Sequence, residues 1–175
     1  MALLSFGIIV SSNDVEKKLA KLGNKLTDHR ELLEIIGLVY LNESKIRFIK
    51  KDAPNNMPWK KNTPYTIKLK KYGTGNRLPG IEGPYSIGVW TGKLRASLMV
   101  DVTGDHIAIG IPRSSAASKY AQTFQLGANR GAFGTDAKGR PNPLGNIPPR
   151  PFLGPTNAAN RQVLNVIKTY LDYTK

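Results

Sequence analysis

His29 and His106 are the two imidazoles available for proton transfer or metal ligation, and they lie far apart in the chain. Neither stands in the HxxxH or HExxH spacing that would put two ligands on one helix face. Each reads more simply as a surface residue, one at a helix start and one on a hairpin. The twelve carboxylates are scattered, with no close pair to divide general-acid from general-base work. The absence of cysteine removes thiolate nucleophiles, a disulfide framework and Cys-based zinc sites. "GVWTGKL" resembles a phosphate-binding loop only at first sight. Three residues, not four, separate Gly88 from Gly92, and Leu94 stands where a magnesium-binding Ser or Thr belongs. "YGTGNRLPG" is only a glycine-rich loop. These residues point to no enzyme, metal or cofactor.

Charge is more informative. The chain carries +14 at neutral pH, with a pI near 10.1. Residues 45–95 hold twelve Lys and Arg against two acids, Asp52 and Glu82, a net +10. Such a field favours a polyanion or an acidic protein partner. Lys60, Lys61, Lys68, Lys70 and Lys71 form its densest part, read as a basic patch that either faces a partner or solvates a face. Arg130, Lys138, Arg140 and Arg150 near Phe133 would suit single-stranded nucleic acid, but the aromatics there are too few for a stacking platform. No apolar run approaches the roughly 18 residues of a membrane helix. The start, "MALLSFGIIV", has no charged leading region and no cleavage-site pattern after it, and is read as part of the fold rather than as a signal peptide. The lack of cysteine suits a reducing cytosol.

The elements follow from periodicity. Residues 2–10 read as a strand. Ser12 caps a helix with Val15, Leu19, Leu22 and Leu26 on one face. Thr27 or Asp28 caps a second helix of about 20 residues, whose stripe runs through Leu32, Ile35, Ile36, Val39, Ile46 and Ile49 and is widened by Leu33, Leu38 and Leu41. Thr63 before Pro64 predicts a short helix over 64–71, and residues 72–86 read as a loop. Alternation predicts strands at 97–103 and 106–111, turned by Gly104 and Asp105. "KYAQTFQLG" is a short helix closed by Gly127. A final helix, capped by Thr156 or Asn157, carries Val163, Val166, Ile167, Tyr170 and Leu171 at helical spacing. The expected fold is one α+β domain over 1–175. Its small, mostly antiparallel sheet packs against the long second helix and the C-terminal amphipathic helix, with an extended Gly/Pro-rich loop or arm at 127–146.

Taken in order, these pieces resemble the phage virion morphogenesis family of tail-completion and head–tail joining proteins. The likeness rests on Trp59 in "PWKKNTPYT", Thr91, Gly92, Leu94 and Ser97 in "TGKLRASL", and the hairpin ending "IAIGIP". It continues through Tyr120, Ala121 and Gly127 in "KYAQTFQLG", and "IPPRPFLG" at residues 147–154 before the last helix. That block is the most specific, departing from the family's "IPARPFLG" only at Pro149; the loop at 127–146 is longer than usual. The resemblance implies a structural virion protein at the neck of a tailed phage, assembled as a ring of its own copies, a hexamer. It would meet neighbouring neck proteins and tail tube or sheath proteins, close to packaged DNA, with no membrane and no enzymatic activity. It implies residence in the virion tail or neck region, and in host cytoplasm during assembly. A basic nucleic-acid-binding protein is the alternative.

Three prolines pre-extend "IPPRPFLG", so little entropy is lost when it docks. Phe152 can enter an apolar surface and Arg150 can meet a carboxylate. Whether that surface belongs to a partner or to the chain itself stays open, and both can hold. Residues 127–146 are too poor in apolar side chains to fold onto their own domain, yet long idle loops are uncommon. They are expected to order against a neighbouring subunit or neck protein. Phe133 and Leu144 would be the anchors, and Arg130, Lys138 and Arg140 the polar contacts.

Overall fold

The computed structural model describes residues 3–4, 29–73, 82–129, 132, 139 and 146–173. The expected first helix and most of residues 2–10 lie outside these, as do the Thr27 and Asp28 caps. In chain order the elements are β1 (Leu3–Leu4), α1 (Arg30–Lys50), α2 (Pro64–Tyr72), α3 (Lys93–Ala96), β2 (Met99–Thr103), β3 (His106–Pro112), α4 (Ser118–Leu126) and α5 (Asn157–Tyr173). The three strands form one antiparallel sheet in the order β1-β3-β2. This is the α+β arrangement expected.

The hairpin pairs Val100 with Ile109 and Val102 with Ile107, so these four share a face, as alternation predicts. Gly104, at φ 57°, takes the first central position of the two-residue turn, where a side chain would be strained. Helix α1 crosses this face closely. A Cβ on Gly37 would lie 2.5 Å from Val100 Cγ1, so glycine is what lets the helix approach the sheet. On another side α1 packs along α5, and Tyr40 Oη donates to Asn160 Oδ1 at 2.8 Å.

The apolar stripe of α1 holds for its first half and fails for its second. Leu32, Ile36 and Tyr40 are buried, but Ile46 is half-buried and Ile49 is 69% exposed. At about 100° per residue, Ile49 lies about 140° around the helix from Ile36. The face that continues inward is instead Glu43, Ser44, Arg47 and Phe48. The buried guanidinium there is paired locally through its terminal nitrogens. Arg47 donates through Nη2 to Glu43 Oε2 at 2.8 Å, and through Nη1 to Asp52 Oδ1 at 3.0 Å and Asn56 Oδ1 at 3.2 Å.

Helix α2 starts as expected, with Pro64 at its first turn and Thr63 Oγ1 accepting from the Thr66 N–H at 3.2 Å. Helix α5 is capped by Thr156, whose Oγ1 accepts from the Ala159 N–H at 2.9 Å. Its deepest residues are Ala159 and Val163, while Val166, Ile167 and Tyr170 are half-buried at the edge of the core. The core closes around four rings. Phe48 lies 5.4 Å from Trp59, 5.8 Å from Phe124 and 5.2 Å from Phe152, centroid to centroid.

Candidate interaction surface

The proline-rich strip at 147–154 is docked on its own chain, and its backbone hydrogen bonds show how. Pro148, Pro149 and Pro151 have no N–H to satisfy. Ile147 N–H donates to Ala128 O at 2.9 Å, and Arg150 N–H to Phe124 O at 2.8 Å. The N–H groups of Phe152 and Leu153 both reach Gln125 Oε1, at 3.0 and 3.2 Å, while Gln125 Nε2 donates to Leu153 O at 3.0 Å. Trp59 Nε1 donates to Pro151 O at 3.0 Å. Gly127, at φ 76°, closes α4 where a Cβ would meet Ile147 O at 2.6 Å. The ends of the 127–146 loop are therefore tied together at Ala128 and Ile147.

Of the two docking surfaces that the sequence left open for Phe152, a partner's or its own chain's, the side chain occupies its own chain's. It is 1% exposed, packed on Phe48 and Phe124, and serves as the internal anchor of the strip. Arg150 is half-buried over the Phe124 ring, 5.8 Å from its centroid, and its guanidinium donates to Lys60 O at 3.3 Å. Arg130, Phe133, Lys138, Arg140 and Leu144 lie outside the described residues.

The basic patch also divides. Lys60, Lys61, Lys68 and Lys71 are exposed. Lys70 is 4% exposed, and its ammonium donates to Ser86 O and Val89 O, tying α2 to the 86–89 segment. Burial, with repulsion from Lys51 and Arg150, pushes Lys70 down to about 8. A lysine one turn-face away from Lys68 and Lys71 is a structural strut, which a count of charges cannot reveal.

Two depressions among the described residues share Thr91, Gly92, Lys93 and Arg95 in their linings. The larger, about 720 Å³, has an apolar floor of Val89, Leu94, Phe124 and Ile147. Its rim carries Lys93, Arg95, Arg150 and Tyr120. The smaller, about 510 Å³, is lined besides by Lys45, Ile49 and Ala96. The glycines of "GVWTGKL" serve packing and turning. A Cβ on Gly88 would lie 2.8 Å from Trp59 and 2.7 Å from Phe124, and Gly92 caps α3 at φ 73°. The nearby carboxylate, Glu82, is already engaged by Lys51 at 3.2 Å, Arg95 at 3.2 Å and Ser86 Oγ at 3.0 Å. Burial pushes Glu82 up, but those hydrogen bonds and the charges of Lys51 and Arg95 hold it below the usual carboxylate range.

Among the described residues no three His, Asp or Glu side chains converge to hold a metal, and no helix is long and apolar enough to cross a membrane. His29 pairs instead with Asp105 on the hairpin turn, Nε2 to Oδ1 at 2.7 Å. Trp59, Leu94, Tyr120 and the 147–154 strip, distant in sequence, thus meet around one groove and the ring cluster beneath it. No curated protein and no solved structure matches the chain. The phage virion morphogenesis family matches it over residues 10–172.

Proposed function

Since the chain belongs to the phage virion morphogenesis family, we propose that it is a structural protein that completes the tail, or joins it to the head, at the neck of a tailed phage. The single observation that supports this reading is the extent of the match, which runs through nearly the whole chain. In this reading the protein works as a ring of its own copies, a hexamer, against neck proteins and tail tube or sheath proteins, and catalyses nothing. The basic surface makes DNA binding the competing account, since +14 in a chain of 175 residues is a strong field.

Mass spectrometry of purified virions, together with the mass of the purified protein in solution, separates the two. Assembly at the neck predicts the chain in washed particles at a fixed low copy number, and a closed oligomer in solution or on addition of tails. A monomer absent from particles, binding DNA with steep salt dependence, would overturn the reading in favour of a nucleic-acid-binding protein.

A further inference from the structure

We propose that the groove beside residues 91–96 receives an extended acidic segment of a neighbouring virion protein, with one large apolar side chain seated on the groove floor. This deepens the assembly reading and rests on it. The volume of about 720 Å³ lies within the roughly 300–1,000 Å³ of pockets that enclose sizeable ligands. The floor of Val89, Leu94, Phe124 and Ile147 offers dispersion and water exclusion but nothing to a charge. The rim offers the opposite. Lys93 and Arg150 stand on it, and Lys45 lines the adjoining depression. None of these three forms an ion pair with a described carboxylate. Glu82 is spent on Lys51 and Arg95. Among the described residues the field over the groove is therefore uncompensated, and complementarity calls for carboxylates flanking an apolar side chain.

Two other occupants fit less well. A second copy of this chain has no acidic run to offer the groove, since no two acids are adjacent anywhere in its sequence. Nucleic acid needs cations along a polar track or outward rings for stacking. Here Phe124 is committed to Phe48, Trp59 and Phe152, Trp90 is half-buried in the lining, and Tyr120, 42% exposed, is the exposed ring among the described lining residues.

The test places a photocrosslinking benzoylphenylalanine at Tyr120 and, in a second variant, at Thr91. Each is supplied in trans to a phage lacking its own copy, and the particles are irradiated. Sequencing the crosslinked peptide should return a segment of another virion protein with net negative charge and a large apolar residue. That peptide, synthesised and labelled, should bind the purified protein. Its affinity should fall roughly tenfold or more with Lys45→Glu and Lys93→Glu together, and fall as salt rises from about 0.05 to about 0.5 M. Crosslinks to DNA, to another copy of this chain, or to a neutral or basic segment would overturn the proposal. So would particles that contain the protein but give no crosslink from either position, and in that case the assembly reading stands. Particles that form normally without the protein overturn both.

Discussion

Burying Arg47 leaves Nε without a partner among the described residues, while its two terminal nitrogens hold Glu43, Asp52 and Asn56. Glu43 Oε2 also accepts from Thr156 Oγ1 at 3.5 Å, so this cation ties α1 to the following turn and to the α5 cap. Removing one member of a buried pair strands the other. Arg47→Met should therefore destabilise the fold by about 3–5 kcal/mol in denaturant unfolding; a change under about 1 kcal/mol would mean that water already screens Glu43. Lys70 adds a pH dependence. Its folded value is lowered from 10.5 to about 8 by burial and by Lys51 and Arg150. Between those values the unfolded chain binds the extra proton, so stability rises with pH through the window, and the cost of burial is fully present below about 8. From pH 8 to 9.5 the gain is at most about 2 kcal/mol, the limit for one proton at about 1.4 kcal/mol per pH unit. Lys70→Met should flatten that rise relative to the parent; equal slopes would show that Lys70 does not cause it.

The elements differ in how openly the sequence announces them. Thr63 before Pro64, the alternation through β2 and β3, and the spacing in α5 each follow a local rule, and each element stands within a residue or two of its expected bounds. Helix α1 was legible in length but not in its inward face. Periodicity counts Ile49 as buried and Arg47 as exposed, and nothing local says that Asp52 and Asn56 fold back to receive a guanidinium. Gln125 was equally hidden, a polar residue on a short helix that holds two N–H groups and one carbonyl of the 147–154 strip. The strip itself was legible as stiff and pre-extended, but not as self-docked, because pre-extension serves either kind of docking. In α5 the observed burial ranks positions that spacing alone treats alike. Val163→Ala should cost about 2 kcal/mol and Ile167→Ala, half-buried, about 1. Thermal melts of the two variants check this; a larger loss at Ile167 would mean that α5 sits deeper at its C-terminal end.

For the whole molecule, the field is set by exposed lysines as well as by the groove rim. The exposed Lys60, Lys61, Lys68 and Lys71 do no structural work comparable to that of Lys70. Reversing these four to Glu should leave the melting temperature nearly unchanged but impair head–tail joining, measured as plaque yield in complementation. Full complementation would show that they only solvate a face. The central claim is assembly itself, and electron microscopy of lysates from a phage deleted for this chain tests it most directly. The account predicts filled heads and separate tails, with intact virions restored when the protein is supplied in trans. Intact, infectious virions in normal numbers without the chain would contradict it.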